Sequence, residues 1–131
     1  MSDTYVFLIT EPDWNSDAYL PGAETPAEDL GSGFAEHGLF AEAVAALGAR
    51  ILESHALQET RHGGRVTPGS GDRKVEDAVY TDGPFTDTTE VVTGVYAVEV
   101  ADEAMARRVA ALVPTNGHIE WRKVFPMGGD A

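Results

Sequence analysis

Two groups of residues in this 131-residue sequence are of the types that move protons. The first is Tyr80 to Glu90, YTDGPFTDTTE, where Asp82, Asp87 and Glu90 crowd around a Gly83-Pro84 turn. Loops held by a rigid sheet are where binding and catalytic groups gather. The second is His37, in a run whose Leu30, Phe34, His37, Ala41 and Val44 recur at i, i+4, i+7, i+11 and i+14 and so share one helix face. A histidine on an apolar face must find partners for its ring nitrogens. A carboxylate partner would hold that ring ready for general acid–base work. Asp82 is the obvious applicant, since its side chain can either cap its own turn or point across the sheet toward the helix. On residue chemistry alone, a satisfied core histidine and a self-capping aspartate remain the plainer account of both.

The other polar groups are less specific. Four histidines stand at positions 37, 55, 62 and 118, with no close-spaced ligand pair among them. A divalent metal would have to be assembled from His37 and Asp82, with or without His55, on distant elements, and no metal is expected. His62, beside two glycines, and His118, at the start of a strand, read as exposed. Glu90 and Glu120 serve as a second acid or pair with Arg122, the ion pair being the simpler reading. Trp14, Tyr19 and Phe40 are candidate walls of an apolar binding cleft, and Phe85 would shape the turn and close that cleft from another side. There is no phosphate-binding glycine loop, no dinucleotide fingerprint and no nucleophile elbow. The chemistry on offer needs no cofactor.

Charge narrows the partners. Nine basic against 22 acidic residues give a net charge of −13, and nine acids precede the first basic residue, Arg50. Nucleic-acid affinity rests on Lys and Arg displacing counterions, so DNA, RNA and anionic membranes are excluded as expected partners. With no cysteine, disulfides, thiolate metal sites and thiol nucleophiles are excluded together. The N-terminal MSDTYVFLIT carries an acid where a secretory leader carries bases, and reads as the first strand of a cytoplasmic protein.

The elements that must position these groups follow from periodicity. Residues 4–10 are β-branched and aromatic, a buried strand. Thr25, Pro26 and Glu28 make a capping box, which predicts a helix from Pro26 to a left-handed stop at Gly48. Residues 50–58 and 74–81 read as strands separated by Gly-rich punctuation around Gly63 and Gly64. Residues 91–100, VVTGVYAVEV, make the strongest strand, with Gly94 marking a bulge or a close backbone approach. Asp102 caps a second helix whose apolar face is Met105, Val109 and Leu112 and which ends at Pro114, and residues 117–125 close the sheet. The order β-α-β-β-β-α-β predicts one α+β domain, ferredoxin-like, with a loose tail over residues 127–131.

The run Thr81-Asp82-Gly83-Pro84-Phe85, followed by Glu90 and the strand GVYAVEV, resembles the DGPF family within the YCII-related superfamily. The likeness extends through YVFLIT, FAEHGLFAEAV and GHIEWRKV, from Tyr5 to Phe125, with insertions around residues 13–26 and 61–74. It implies a ferredoxin-like domain that pairs through its sheets into a dimeric α/β barrel. It also implies a pocket in which the family's His and Asp form an acid–base pair, here His37 and Asp82. Where relatives carry a Gly-Glu-Gly-Leu run this chain has SHAL, which sets His55 near the expected Glu. Two functions follow as expectations. One is a cofactor-independent isomerase or lyase acting on a small carbonyl or aromatic substrate. The other is a non-catalytic dimeric module that binds a small molecule, with a regulatory role.

Overall fold

A computed structural model describes residues 2–12, 30–82 and 90–126. Its frame is the long strand β1 (Asp3–Pro12), which sits between two partners. Tyr5, Phe7 and Ile9 alternate with Val6, Leu8 and Thr10, so strand pleating turns the first three to one side, where each is at most 5% exposed. β2 (Arg50–Ala56), β5 (Glu90–Val100) and β6 (His118–Lys123) complete a four-stranded sheet in the order β2-β5-β1-β6, antiparallel at every pairing. Helix α1 (Leu30–Ala46) joins β1 to β2, and α2 (Glu103–Ala111) joins β5 to β6. Both helices pack into one core against Tyr5, Phe7, Ile9, Tyr96, Val98 and Val100. The result is an α+β fold compatible with the ferredoxin-like class, as the sequence leads one to expect. No helix among the described residues is long and apolar enough to cross a membrane.

The ends of α1 and the choice of its buried face have separate causes. Thr25, Pro26 and Glu28, the expected start, lie outside the described residues. The stop is as expected: Gly48 has φ +82°, and the amides of Gly48 and Ala49 donate to the carbonyls of Ala45 and Val44 at 3.0 and 3.1 Å. This double bond satisfies carbonyls that the helix end leaves free. The buried stripe runs through His37, Phe40, Val44 and Leu47, whereas Ala41 is exposed. The helix is turned by one residue from the expected face because Phe40 buries far more apolar surface than Ala41.

A similar exchange occurs in α2. Asp102 caps it, its carboxylate accepting from the Met105 amide at 3.0 Å. Ala106, Val109, Ala110 and Val113 fill the core, and Leu112 is 45% exposed, so Leu112 is not part of the apolar face expected of it.

The segment between β2 and β5 departs most from expectation. The strand expected over residues 74–81 is reduced to β4 (Val79–Asp82), preceded by a single 3-10 turn at Val75–Asp77. The Gly-rich punctuation conceals another strand, β3 (Gly64–Thr67), which pairs with β4 as a separate two-stranded sheet. Four residues are too few for alternation to be legible.

Gly94 does both things expected of it. The β1–β5 register shifts beside it, pairing Ile9 with Gly94 and Thr10 with Val92, so that Thr93 is the extra residue. A Cβ on Gly94 would meet the His55 carbonyl oxygen and Ile9 Cδ1, both at 3.3 Å. Gly117 is tighter still. A Cβ there would lie 1.9 Å from the Thr10 carbonyl oxygen, so the chain can pass from α2 into β6 only with hydrogen at this position. Thr115 fixes the same corner, donating to Glu11 Oε2 at 2.6 Å and accepting from the Gly117 amide at 3.0 Å.

Candidate functional site

His37 reaches the sheet from the second turn of α1. Because β1 and β5 are in register with Phe7 opposite Tyr96, and β2 places Ser54 on the other flank of Tyr96, these three residues share the helix-facing side. Tyr96 is 7% exposed and lies under α1, with the Phe40 ring edge-on to it at 5.0 Å between centroids and 61° between planes. A tyrosine so buried needs a partner for its hydroxyl. It finds His37: Nδ1 and the Tyr96 Oη are 2.5 Å apart, and the two rings overlap at 5.9 Å with planes inclined by 27°. Burial pushes the Tyr96 phenol above its usual pKa, so the hydroxyl keeps its proton across the physiological range.

His37 itself is half-buried. With Nδ1 engaged by Tyr96, Nε2 is the ring's remaining polar atom. Beside this pair the β2 edge is open, since Ser54 and Ala56, which face the same side as Tyr96, are exposed. An imidazole held at Nδ1, with no partner for Nε2 among the described residues and with exposed sheet edge alongside, is an arrangement that can exchange a hydrogen bond or a proton with a small ligand.

The remaining site residues fall in different places. Asp82 ends β4, where its backbone pairs opposite Gly64, and its side chain lies outside the described residues, as does that of Glu90. Trp14, Tyr19 and Phe85 also lie outside them. Phe40 is 3% exposed, in the core against Tyr96. His55 is opposite Val95 and therefore on the far face of the sheet from His37, on the same side as Glu53. His62 and His118 are exposed, as read from sequence. Arg122 pairs with Glu120 at 3.1 Å, with both side chains largely in solvent. No group of three or more His, Asp or Glu side chains stands together at metal-binding distance among the described residues.

Tyr96 is the residue that sequence reasoning passes over. Its signal was present: it shares strand parity with Val98 and Val100, which puts a phenol on the buried face, and His37 shares a helix stripe with Val44. Two polar groups consigned to one core must satisfy each other.

The chain matches the YCII-related domain over residues 31–128, which is most of its length. It belongs to the YCII-related domain family. A comparison with curated proteins finds no match.

Proposed function

We propose that this YCII-related protein is a cofactor-independent acid–base enzyme of the isomerase or lyase type, acting on a small carbonyl or aromatic substrate, in which His37 and Asp82 work as a pair. The observation that carries this reading is the half-buried His37 ring, anchored through Nδ1 to a nearly buried tyrosine 2.5 Å away. A purely structural histidine gains nothing from a second nitrogen that has no partner among the described residues, beside an exposed sheet edge. Asp82 enters through the Asp82-Gly83-Pro84-Phe85 run, which supports placing the chain in the DGPF branch of the family. Phe85, Trp14 and Tyr19 serve as the apolar walls, with Glu90 at the end of the same turn.

Solvent deuterium incorporation into small ketones, lactones and hydroxylated aromatic acids, followed by NMR, tests the reading directly. The wild type exchanges at least one of these classes, and His37→Asn and Asp82→Asn each slow that exchange on the order of 10²- to 10⁴-fold while keeping the fold by circular dichroism. Exchange that is unaltered in both variants, or absent across the panel with the wild type, defeats it.

The protein acts as a homodimer in this proposal. The face of the sheet away from the helices carries Val6, Leu8, Val95 and Ala97 across its centre, the four standing on the two inner strands. Arg50, Glu53 and His55 border them along β2, and His118, Glu120 and Arg122 along β6. An apolar centre with a charged rim suits closure by a second sheet. Sedimentation velocity gives a dimer for the wild type and a monomer for Leu8→Lys; a monomeric wild type removes the proposal.

A further inference from the structure

We infer that Tyr96 is a positioning residue that locks the neutral His37 ring in the form protonated on Nε2, so that His37 presents a hydrogen-bond donor to substrate and is not the group that abstracts the proton. The inference rests on the acid–base reading above and divides its two roles.

The direction of the His37–Tyr96 bond follows from the strengths of the two groups. A neutral imidazole has one nitrogen with a lone pair in the ring plane, a strong acceptor, and one N–H. A phenol oxygen is a weaker acceptor because its lone pair is shared with the ring, whereas its O–H is a good donor. The reverse arrangement, with Nδ1–H donating to Oη, would strand the phenol proton in the core, and among the described residues His37 is the partner that the hydroxyl has. An unpaired donor there would forfeit a hydrogen bond at a site that is 7% exposed. The bond therefore runs Oη–H to Nδ1. The proton on the ring is then on Nε2, since the bond made by one nitrogen decides the state of the other.

The ring is held in place as well as in state. Phe40 packs edge-on against Tyr96, and Phe7 on β1 and Ser54 on β2 flank Tyr96 in register, so the phenol sits on a rigid part of the sheet. The near-parallel overlap of the two rings leaves His37 little freedom to turn about its Cβ–Cγ bond without losing the hydrogen bond.

A neutral imidazole that offers Nε2–H suits an oxygen on which negative charge develops. In an enolisation, the base takes a proton from the carbon next to a carbonyl: the C–H bond breaks, an O–H bond forms on the base, and the released pair moves to the carbonyl oxygen. That oxygen accepts a hydrogen bond from His37 Nε2–H, which keeps its proton. Where that enolate is conjugated with a further C=C bond, return of the same proton from the base to the far end of that bond, as the pair on oxygen re-forms C=O and the double bond moves into conjugation with it, completes an isomerisation without any other reactant. The base is then a carboxylate, Asp82 in the reading above, and the substrate class is one with an acidic C–H between a carbonyl and a C=C bond.

Long-range ¹H–¹⁵N correlation NMR on the uniformly ¹⁵N-labelled full chain tests this, with the His37 signals assigned by their absence in His37→Asn. In the neutral ring, Nδ1 carries the signature of a nitrogen without its own hydrogen and Nε2 that of an N–H. A downfield hydroxyl proton from Tyr96 correlates with Nδ1 and is lost in Tyr96→Phe. A proton found on Nδ1 in the wild type overturns the inference, as does a hydroxyl proton that Tyr96→Phe leaves in place. Because the readout needs no substrate, its failure is separate from failure of the exchange assay, which bears on the proposed activity alone.

Discussion

Val98 and Val79 are the same residue type in the same kind of element, yet Val98 has no exposed surface and Val79 shows 62% of its own. The contrast extends to their surroundings. β5 has a strand on either side and two helices over one face, while β4 has a single partner among the described residues, and Val66, Val75, Val79 and Tyr80 around it are all exposed. An isolated two-stranded ribbon is at best marginally stable in water. What a residue contributes is therefore set by its address in the fold before its chemistry, and the two regions have to be held together by different forces. The sheet and its helices form one cooperative core, and the hairpin is an inserted arm whose local hydrogen bonds and turns sustain it.

Two substitutions would sharpen or break that contrast. The larger effect belongs to Gly117→Ala, where the added methyl has to displace either the Thr10 carbonyl or the start of β6. We expect a loss of about 3 kcal/mol in urea denaturation, at the upper end of what overpacking does. A loss below about 1 kcal/mol would mean that the corner at Thr115 and Gly117 yields easily, and that the core is less rigid than its packing suggests. The smaller effect belongs to Tyr80→Ser in the hairpin, which is 67% exposed at this position and should change stability by no more than about 0.5 kcal/mol. A loss several times greater would show that the hairpin is covered in solution and belongs to the cooperative unit after all.

The same division governs how much could be read from the sequence. β1, β5, α2 and the Gly48 stop were legible because long stretches repeat a pattern that burial enforces on every turn or every second residue. β3 was not, since Gly64, Arg65, Val66 and Thr67 bury nothing and so carry no pattern. Helix faces were legible to within one residue: alanines at 41 and 106 look alike as letters, and only packing volume decides that Phe40 displaces Ala41 from the core while Ala106 is drawn in. At the site, His37 was legible as a polar residue on an apolar stripe. Its partner Tyr96 is less legible, because a tyrosine inside a hydrophobic strand fits the strand's apolar pattern and only the register across the sheet sets its hydroxyl under the helix. That Ser54 flanks Tyr96 while His55 points the other way depends on a register shift after Ile51, and no single-strand pattern contains such a shift.

The extra residue at Thr93 also changes the arithmetic of β5. Tyr96 and Val92 are an even number of positions apart, and an unbroken strand would aim both at the helices. The bulge inverts the phase: Val92 pairs with Thr10 and is 41% exposed, while Tyr96 stays under α1. The strand is thus a ruler with a half-step cut into it, and even-numbered positions on the two sides of Gly94 answer to opposite faces of the sheet. A change of side chain at Tyr96 or Val98 would be felt by the helices, whereas one at Val92, of the same parity, would be felt on the helix-free side, so the two can vary on separate terms.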